Sequence, residues 1–209
     1  MPELGLFPLP IVLVPTERIP LHIFEPRYRE LVDECIELGE EFGLVLATGD
    51  GAVHEIGTRA RVVQVLQVLD DGSKNIVVEG GERFRLLDLT SGRTFTTGIV
   101  EPVLDDDEPP LGADVERALE IFSELAEASD SDVDVPDPLS PIFDFEVAAR
   151  VDFATEAKQK LLSMTSPQAR MAALIALLEV ALEAIRLELT LRERASRNGK
   201  VAPIDPETP

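Results

Sequence analysis

The sequence has 209 residues, 44% of them hydrophobic, 28% charged and 5% aromatic, and its 40 acidic against 19 basic side chains give a formal net charge of −21. A chain this apolar buries a core rather than staying disordered, and its length suits one large or two small domains rather than an intact multi-domain ATPase. So negative a field repels phosphate, which argues against a general nucleic-acid binder and against a peripheral protein of anionic membranes.

The chain opens with MPELGLFPLPIVLVP, which has no basic residue and carries Pro2, Pro8, Pro10 and Pro15 through its apolar part, unlike a secretory signal. From Leu4 to Leu104 the β-branched runs FGLVLAT (42–48), RVVQVLQVL (61–69) and NIVVEG (75–80) alternate with turn signals, so this half reads as mainly β. Thr48-Gly49-Asp50-Gly51 tolerates positive φ, and Asp70-Asp71-Gly72-Ser73 joins two strand-like runs as a hairpin turn does. One helix interrupts the strands at PRYRELVDECIEL (26–38). Pro26 suits its first turn, and Tyr28, Leu31, Val32, Cys35 and Ile36 recur at spacings of three and four to make an apolar stripe.

At Asp105-Asp106-Asp107-Glu108-Pro109-Pro110 the composition changes to a segment that continues neither strand nor helix, and a boundary is expected there. Beyond it Val115, Leu119, Phe122, Leu125 and Ala126 mark an amphipathic helix, SDSDVDVPDPLSP reads as a polar loop, and helical patterns resume near Ile142. The last element takes Ser166 as N-cap and Pro167 as first residue and runs to about Ala195, with Arg192, Arg194 and Arg197 complementing its dipole. The expected division is therefore a β domain over 1–104, a helical domain over 105–195 and a flexible tail over 196–209. Residues 105–137 hold thirteen acids against Arg117 alone, so much of the excess negative charge is concentrated there.

Few motifs point to chemistry. Asp130, Asp132 and Asp134 open with calcium-loop spacing, but Val135 stands where the loop needs glycine and Pro141 where it needs the bidentate glutamate. No G-x-x-x-x-G-K-[ST], G-x-S-x-G or H-E-x-x-H string occurs. Cys35, the single cysteine, has no disulfide partner, supports no multi-thiolate zinc site and sits on an apolar stripe, which reads as a packed thiol. His22, one of two histidines, falls on the same strand face as Phe24 and reads as structural. The expectation is a cytoplasmic protein that is not an enzyme, with no cofactor, no metal and no catalytic residue. No apolar run approaches the roughly 18 residues of a membrane span.

One set of segments is more specific. LFPLPIVLVPTERIPLHIFEPRYRELV (6–32), FGLVLA (42–47), EIGTRARVVQV (55–65) and NIVVEGGERFRLL (75–87) resemble the Lon protease N-terminal, or substrate-binding, domain. The resemblance lies in the Phe-Pro-Leu-Pro opening, the P-L-x-I-F-E-P-R-Y core at Pro20 to Tyr28, Gly57 heading a strand, and Gly80, Arg83 and Phe84. It continues more loosely through Phe145 to Val151, Lys158 to Leu162 and Arg170, and spans about residues 4–185. It implies an α+β fold: a PUA-like, mainly antiparallel β-barrel with one inserted helix, then an α-helical bundle ending in a long helix.

It also implies a non-catalytic, stand-alone module without the ATPase and Ser-Lys peptidase parts, recognising unfolded or degron-bearing polypeptides through an apolar junction surface. A separate Lon-type protease is an implied partner; nucleic acid and membrane are not. The candidate polypeptide-binding residues are Phe24, Arg27, Tyr28, Arg83 and Phe84, each with an architectural reading beside it. Phe24 and Tyr28 can pack the helix on the barrel, and Arg27 or Arg83 can pair with Glu25 or another acid. The PUA-like fold leaves open an RNA-binding or small-molecule-binding module. The former needs Arg59, Arg61, Arg83, Arg85 and Arg93 to converge on one face; the latter needs a closed pocket.

Overall fold

The computed structural model describes residues 3–49 and 51–198. Its elements follow as β1 (Glu3–Leu9), β2 (Arg18–Ile23), α1 (Pro26–Leu38), β3 (Phe42–Leu46), β4 (Ile56–Val68), β5 (Lys74–Thr90), β6 (Thr97–Pro102), α2 (Gly112–Ala128), α3 (Phe143–Ala148), α4 (Thr155–Ser163) and α5 (Pro167–Asn198). One mixed sheet runs in the order β2-β5-β4-β3-β1-β6, and β5 pairs with β6 as well, so the pairing returns on itself. β1 and β3 are parallel, which requires a crossover, and the β2–α1 segment supplies it. The other strand pairs are antiparallel.

β5 makes the return possible because it outruns the NIVVEG signal and continues to Thr90. Arg18–Ile23 pair with its first part, β4 pairs with it as far as Arg85, and β6 takes it from Phe84 to Thr90. Leu4, Leu6, Val45, Phe84 and Val100 fill the interior of this circuit. Gly80 in β5 carries no side chain because a Cβ there would run into the carbonyl oxygen of Val14.

The β4 sequence explains its own irregularity. Arg61, Gln64 and Gln67 recur every third residue, which a period-two strand cannot keep on one face. Register shifts between Val62 and Gln64 and between Val65 and Gln67 absorb the extra residues, so Val62, Val65 and Val68 face Val78, Ile76 and Lys74 in turn.

α1 begins with Pro26 in its first turn and ends at Gly39, whose φ of 69° is the left-handed cap a glycine adopts freely. Tyr28, Leu31, Val32 and Cys35 are buried and pack with Phe7, Ile23, Phe42, Ile76 and Val78. Ile36 lies on the stripe by spacing but is 41% exposed.

The helices form a third core. Ala118, Ile121, Phe122 and Leu125 of α2 pack with Met171, Leu174, Leu178 and Leu182 of α5, while Val115 and Leu119 lie half-buried at the margin of the expected stripe. Val12, Val14 and Ile56 from the β half enter this same core, whereas Leu13 points into the α1 side. Alternation along one extended segment thus fastens both halves. Ser166 caps α5, its hydroxyl accepting the Ala169 N–H at 3.2 Å. The expected tail 196–209 is helical through Asn198, and its remainder lies outside the described residues.

Candidate functional site: the groove between sheet and helices

Two arginines hold the seam between the halves. Arg83, on β5, donates from Nη1 to the carbonyls of Leu162 (2.8 Å) and Met164 (2.7 Å), and from Nη2 to Asp105. The end of α4 leaves carbonyls without intrahelical partners, and the guanidinium meets them. Arg170, in the first turn of α5 and 1% exposed, donates from Nε to Asp144 at 2.6 Å, and from Nη1 and Nη2 to the two carboxylate oxygens of Asp105 at 2.8 and 2.7 Å. Such a bidentate fork is the geometry arginine provides and lysine does not. The Phe145 ring lies 5.1 Å from the Arg83 guanidinium carbon and 4.3 Å from that of Arg170.

Burial opposes ionisation of Asp105, yet the hydrogen bonds and charges of Arg170 and Arg83 outweigh it and hold its carboxyl below the ordinary range. For Asp144 burial prevails over Arg170, and the pKa is raised. Burial lowers the pKa of Arg83, with Asp105 opposing it in part.

A second anchor lies nearby. Lys158 of α4 pairs at 2.6 Å with Glu17, whose other carboxylate oxygen accepts the Val14 N–H at 3.0 Å. The neighbouring Thr16 is held at φ 68°, a costly conformation for a β-branched residue, by its N–H donating to Gly80 and by the Gly80 N–H donating to Glu17.

Above these anchors a groove of about 410 Å³ opens along the seam. Its apolar lining comes from Pro15, Pro102, Val103, Leu104, Ile142 and Phe145, and Glu82, Arg83 and Asp105 supply its polar part. Leu104, 76% exposed, stands at its margin. The arrangement offers apolar contact with a few polar groups at its base.

The five candidate residues separate. Arg83 lines the groove, but its donors are committed to the seam. Phe84 has no exposed surface, its ring lying inside the sheet circuit, and Tyr28 is 6% exposed with its ring 4.1 Å from that of Phe7. Phe24 and Arg27 are on the outside at the β2–α1 turn: Phe24 is 61% exposed and stacks on His22, and Arg27 pairs with Glu25 at 2.8 Å while lying over Tyr28. His22 is itself bonded to Asn75. Sequence reasoning missed Asp105, Asp144 and Lys158 as members of the seam. The available signal was a charged residue inside an apolar helix face, as at Arg170 beside Met171 and Leu174.

The five arginines that an RNA face would need each meet a carboxylate: Arg59 with Glu41, Arg61 with Glu79, Arg83 with Asp105, Arg85 with Glu55 and Glu101, and Arg93 with Glu34. Among the described residues no group of three or more His, Cys, Asp or Glu could hold a metal ion, and no helix is long and apolar enough to cross a membrane.

Residues 3–180 match the family model described as the ATP-dependent protease La (LON) substrate-binding domain. The chain is 24% identical over 206 residues to Lon protease 1 of Hydrogenovibrio crunogenus, with 90% of this chain and 25% of that protein covered. It is 28% identical over 105 residues to the Lon protease of Parabacteroides distasonis, covering 47% of this chain and 13% of that one. The chain thus spans a quarter or less of these relatives. Among solved structures, a Lon N-terminal domain protein from Xanthomonas campestris superposes with a TM-score of 0.65 at 27% identity, covering 84% of this chain and 98% of that one. The N-terminal domain of the Mycobacterium avium complex Lon protease does so with 0.64 at 16% identity, covering 85% and 98%.

Proposed function

We propose a role in polypeptide recognition, and its premise is that the chain belongs to the ATP-dependent protease La (LON) substrate-binding domain family. The module is non-catalytic and captures unfolded or degron-bearing polypeptides at the apolar seam between sheet and helices. The observation that carries this reading is the groove of about 410 Å³, apolar in most of its lining and fixed on both sides by buried ion pairs. Grooves where two architectures meet are favoured binding places, and an unfolded client presents the apolar side chains that such a lining accepts. Within the groove Arg83 acts as a positioning residue that keeps Val103 and Leu104 in place through Asp105. Phe84 and Tyr28 shape the sheet from within, and Phe24 with Arg27 forms a separate outer contact for the client.

The self-returning strand circuit is, in this reading, a PUA-like β-barrel, and residues 105–195 are a helical unit docked on it. Clients are the partners, and a separate Lon-type protease receives them. The acidic segment 105–137 borders the seam and favours basic-hydrophobic clients by long-range attraction.

The test is binding of fluorescein-labelled unfolded casein by anisotropy, with Leu104→Asp as the probe variant. Because Leu104 is exposed, the variant folds, and a charge in the groove is expected to weaken binding at least tenfold. Unchanged affinity in a folded Leu104→Asp protein removes the groove from the proposal.

A further inference from the structure

A second surface lies away from the seam. β3 pairs with β4 only over Thr58–Ala60, and from Arg61 to Val68 the edge of β4 opposite β5 has no strand partner among the described residues. The two bulges turn Val62, Val65 and Val68 to the α1 side of the sheet, where α1 packs on the start of β4 at Ala60 and Val62 and leaves the rest of that strand uncovered. Val65, Leu66 and Val68 are consequently 43%, 53% and 60% exposed, and Ile36 of α1, opposite them, 41%. Between the edge and the end of α1 runs a groove of about 210 Å³ whose apolar lining includes Cys35, Ile36, Val63 and Val65 and whose polar part is Glu40, Arg61 and Gln64.

Strand edges are ordinarily protected by lysine, proline or a covering element, because their free N–H and C=O groups template pairing. Between Arg61 and Val68 the residues are valine, leucine and glutamine, with no lysine and no proline. The bulges keep the regular stretches short, which limits open-ended stacking and still leaves room for one added segment. Of the charged groups at the groove, the acids of α1 are the ones left without a partner. Glu37 and Glu40 at the end of α1 are exposed and make no ion pair among the described residues, and Arg61 is already engaged with Glu79 at 3.2 Å.

We propose that the β4 edge takes up an extended polypeptide segment as an added strand, apolar at alternate positions and flanked by basic residues. Main-chain hydrogen bonds to the edge give affinity with little sequence demand, the Ile36–Val65 groove selects apolar side chains, and Glu37 and Glu40 select the basic flank. A second copy of the chain is the competing occupant, and charge opposes it: each copy carries −21 and would bring the same acidic rim to the contact. The inference rests on the polypeptide-recognition reading and adds to the seam a second point of capture, specific for extended backbone.

The test uses a fluorescein-labelled octapeptide of alternating valine and threonine with two lysines at each end. Its companions are the same peptide N-methylated at alternate residues and a version with glutamates in place of the lysines. The expected result is anisotropy-detected binding, hydrogen-exchange protection of Arg61–Val68, and at least tenfold weaker binding of the N-methylated peptide. Val65→Glu, which alters an exposed side chain, weakens it as much, and Glu37→Lys with Glu40→Lys reverses the preference between lysine- and glutamate-flanked peptides. Leu104→Asp, which disables the seam, leaves the octapeptide's protection of Arg61–Val68 in place.

Equal affinity for the N-methylated peptide, or protection confined to the seam, overturns strand addition. A concentration-dependent dimer in sedimentation equilibrium that Val65→Glu dissociates assigns the edge to a second copy and overturns the proposed occupant. Casein binding without octapeptide binding defeats the edge proposal alone, and loss of both defeats the polypeptide-recognition reading beneath it.

Discussion

Arg170 is the residue on which the seam depends most. Among the described residues it is the largest fully buried side chain, and its guanidinium joins Asp144 of α3 to Asp105 of the connection after β6. Replacing it with methionine keeps much of the volume but strands a buried carboxylate at Asp144, and breaking a buried pair in this way costs about 3–5 kcal/mol. Urea unfolding of Arg170→Met is expected to show that loss, with a smaller one for the double variant Arg170→Met with Asp144→Leu, because the second change removes the orphaned charge.

Asp105 sets a pH dependence of definite sign. Its folded pKa lies below the unfolded value of about 3.9, so its contribution is present in full above that value and disappears as pH falls through the folded pKa. The stability gap between the native chain and Asp105→Asn should be constant from pH 6 to 5 and close below pH 4. Cys35 behaves in the opposite sense. Burial, with Glu34 and Glu40 adding to it, pushes its thiol up to about 11. At pH 8 the thiolate is scarcer than in a free cysteine by roughly two orders of magnitude, so alkylation should be at least tenfold slower in the folded protein than in urea.

At the scale of elements, the signals that were legible are those with local causes. Pro26 and the spacing from Tyr28 to Cys35 give α1 its bounds, and the Ser166-Pro167 pair gives α5 its start. What the local pattern does not carry is set by pairing at a distance. The length of β5 depends on β6 receiving Phe84–Thr90, and Ile36 is exposed because α1 has no neighbour beyond β4, although its spacing equals that of the buried stripe.

The candidate site was legible only in part for the same reason. Arg83 was singled out through the family pattern, but its partners Leu162, Met164 and Asp105 come from elements far along the chain, and no spacing announces them. Phe84, chosen with it, points the other way because strand neighbours alternate faces. Gly80 gives an element-scale prediction. A methyl there meets the Val14 backbone, which cannot yield as a side chain does. Gly80→Ala is therefore expected to destabilise the fold by more than the ~1 kcal/mol of an ordinary substitution, with Gly81→Ala, where the nearest atom lies 3.4 Å away, as the milder control.

For the whole molecule, two architectures share one foundation. Val12, Val14 and Ile56 belong to the β half in sequence and to the helical core in space, and Arg83 crosses the same seam. We therefore expect a single cooperative unfolding transition, with far-UV circular dichroism and tyrosine fluorescence from Tyr28 changing together; separate transitions would mean that the two units are independent. The charge of −21 acts at this scale too: under the proposed function, affinity for basic segments is expected to fall as salt rises.

Polypeptide capture at the seam is tested most directly by hydrogen exchange on the native chain with and without saturating unfolded casein. Protection should appear at Pro102–Asp105 and Ile142–Phe145, and Leu104→Asp should abolish it there. Casein binding that leaves both segments unprotected, or no binding of casein at all, would contradict it.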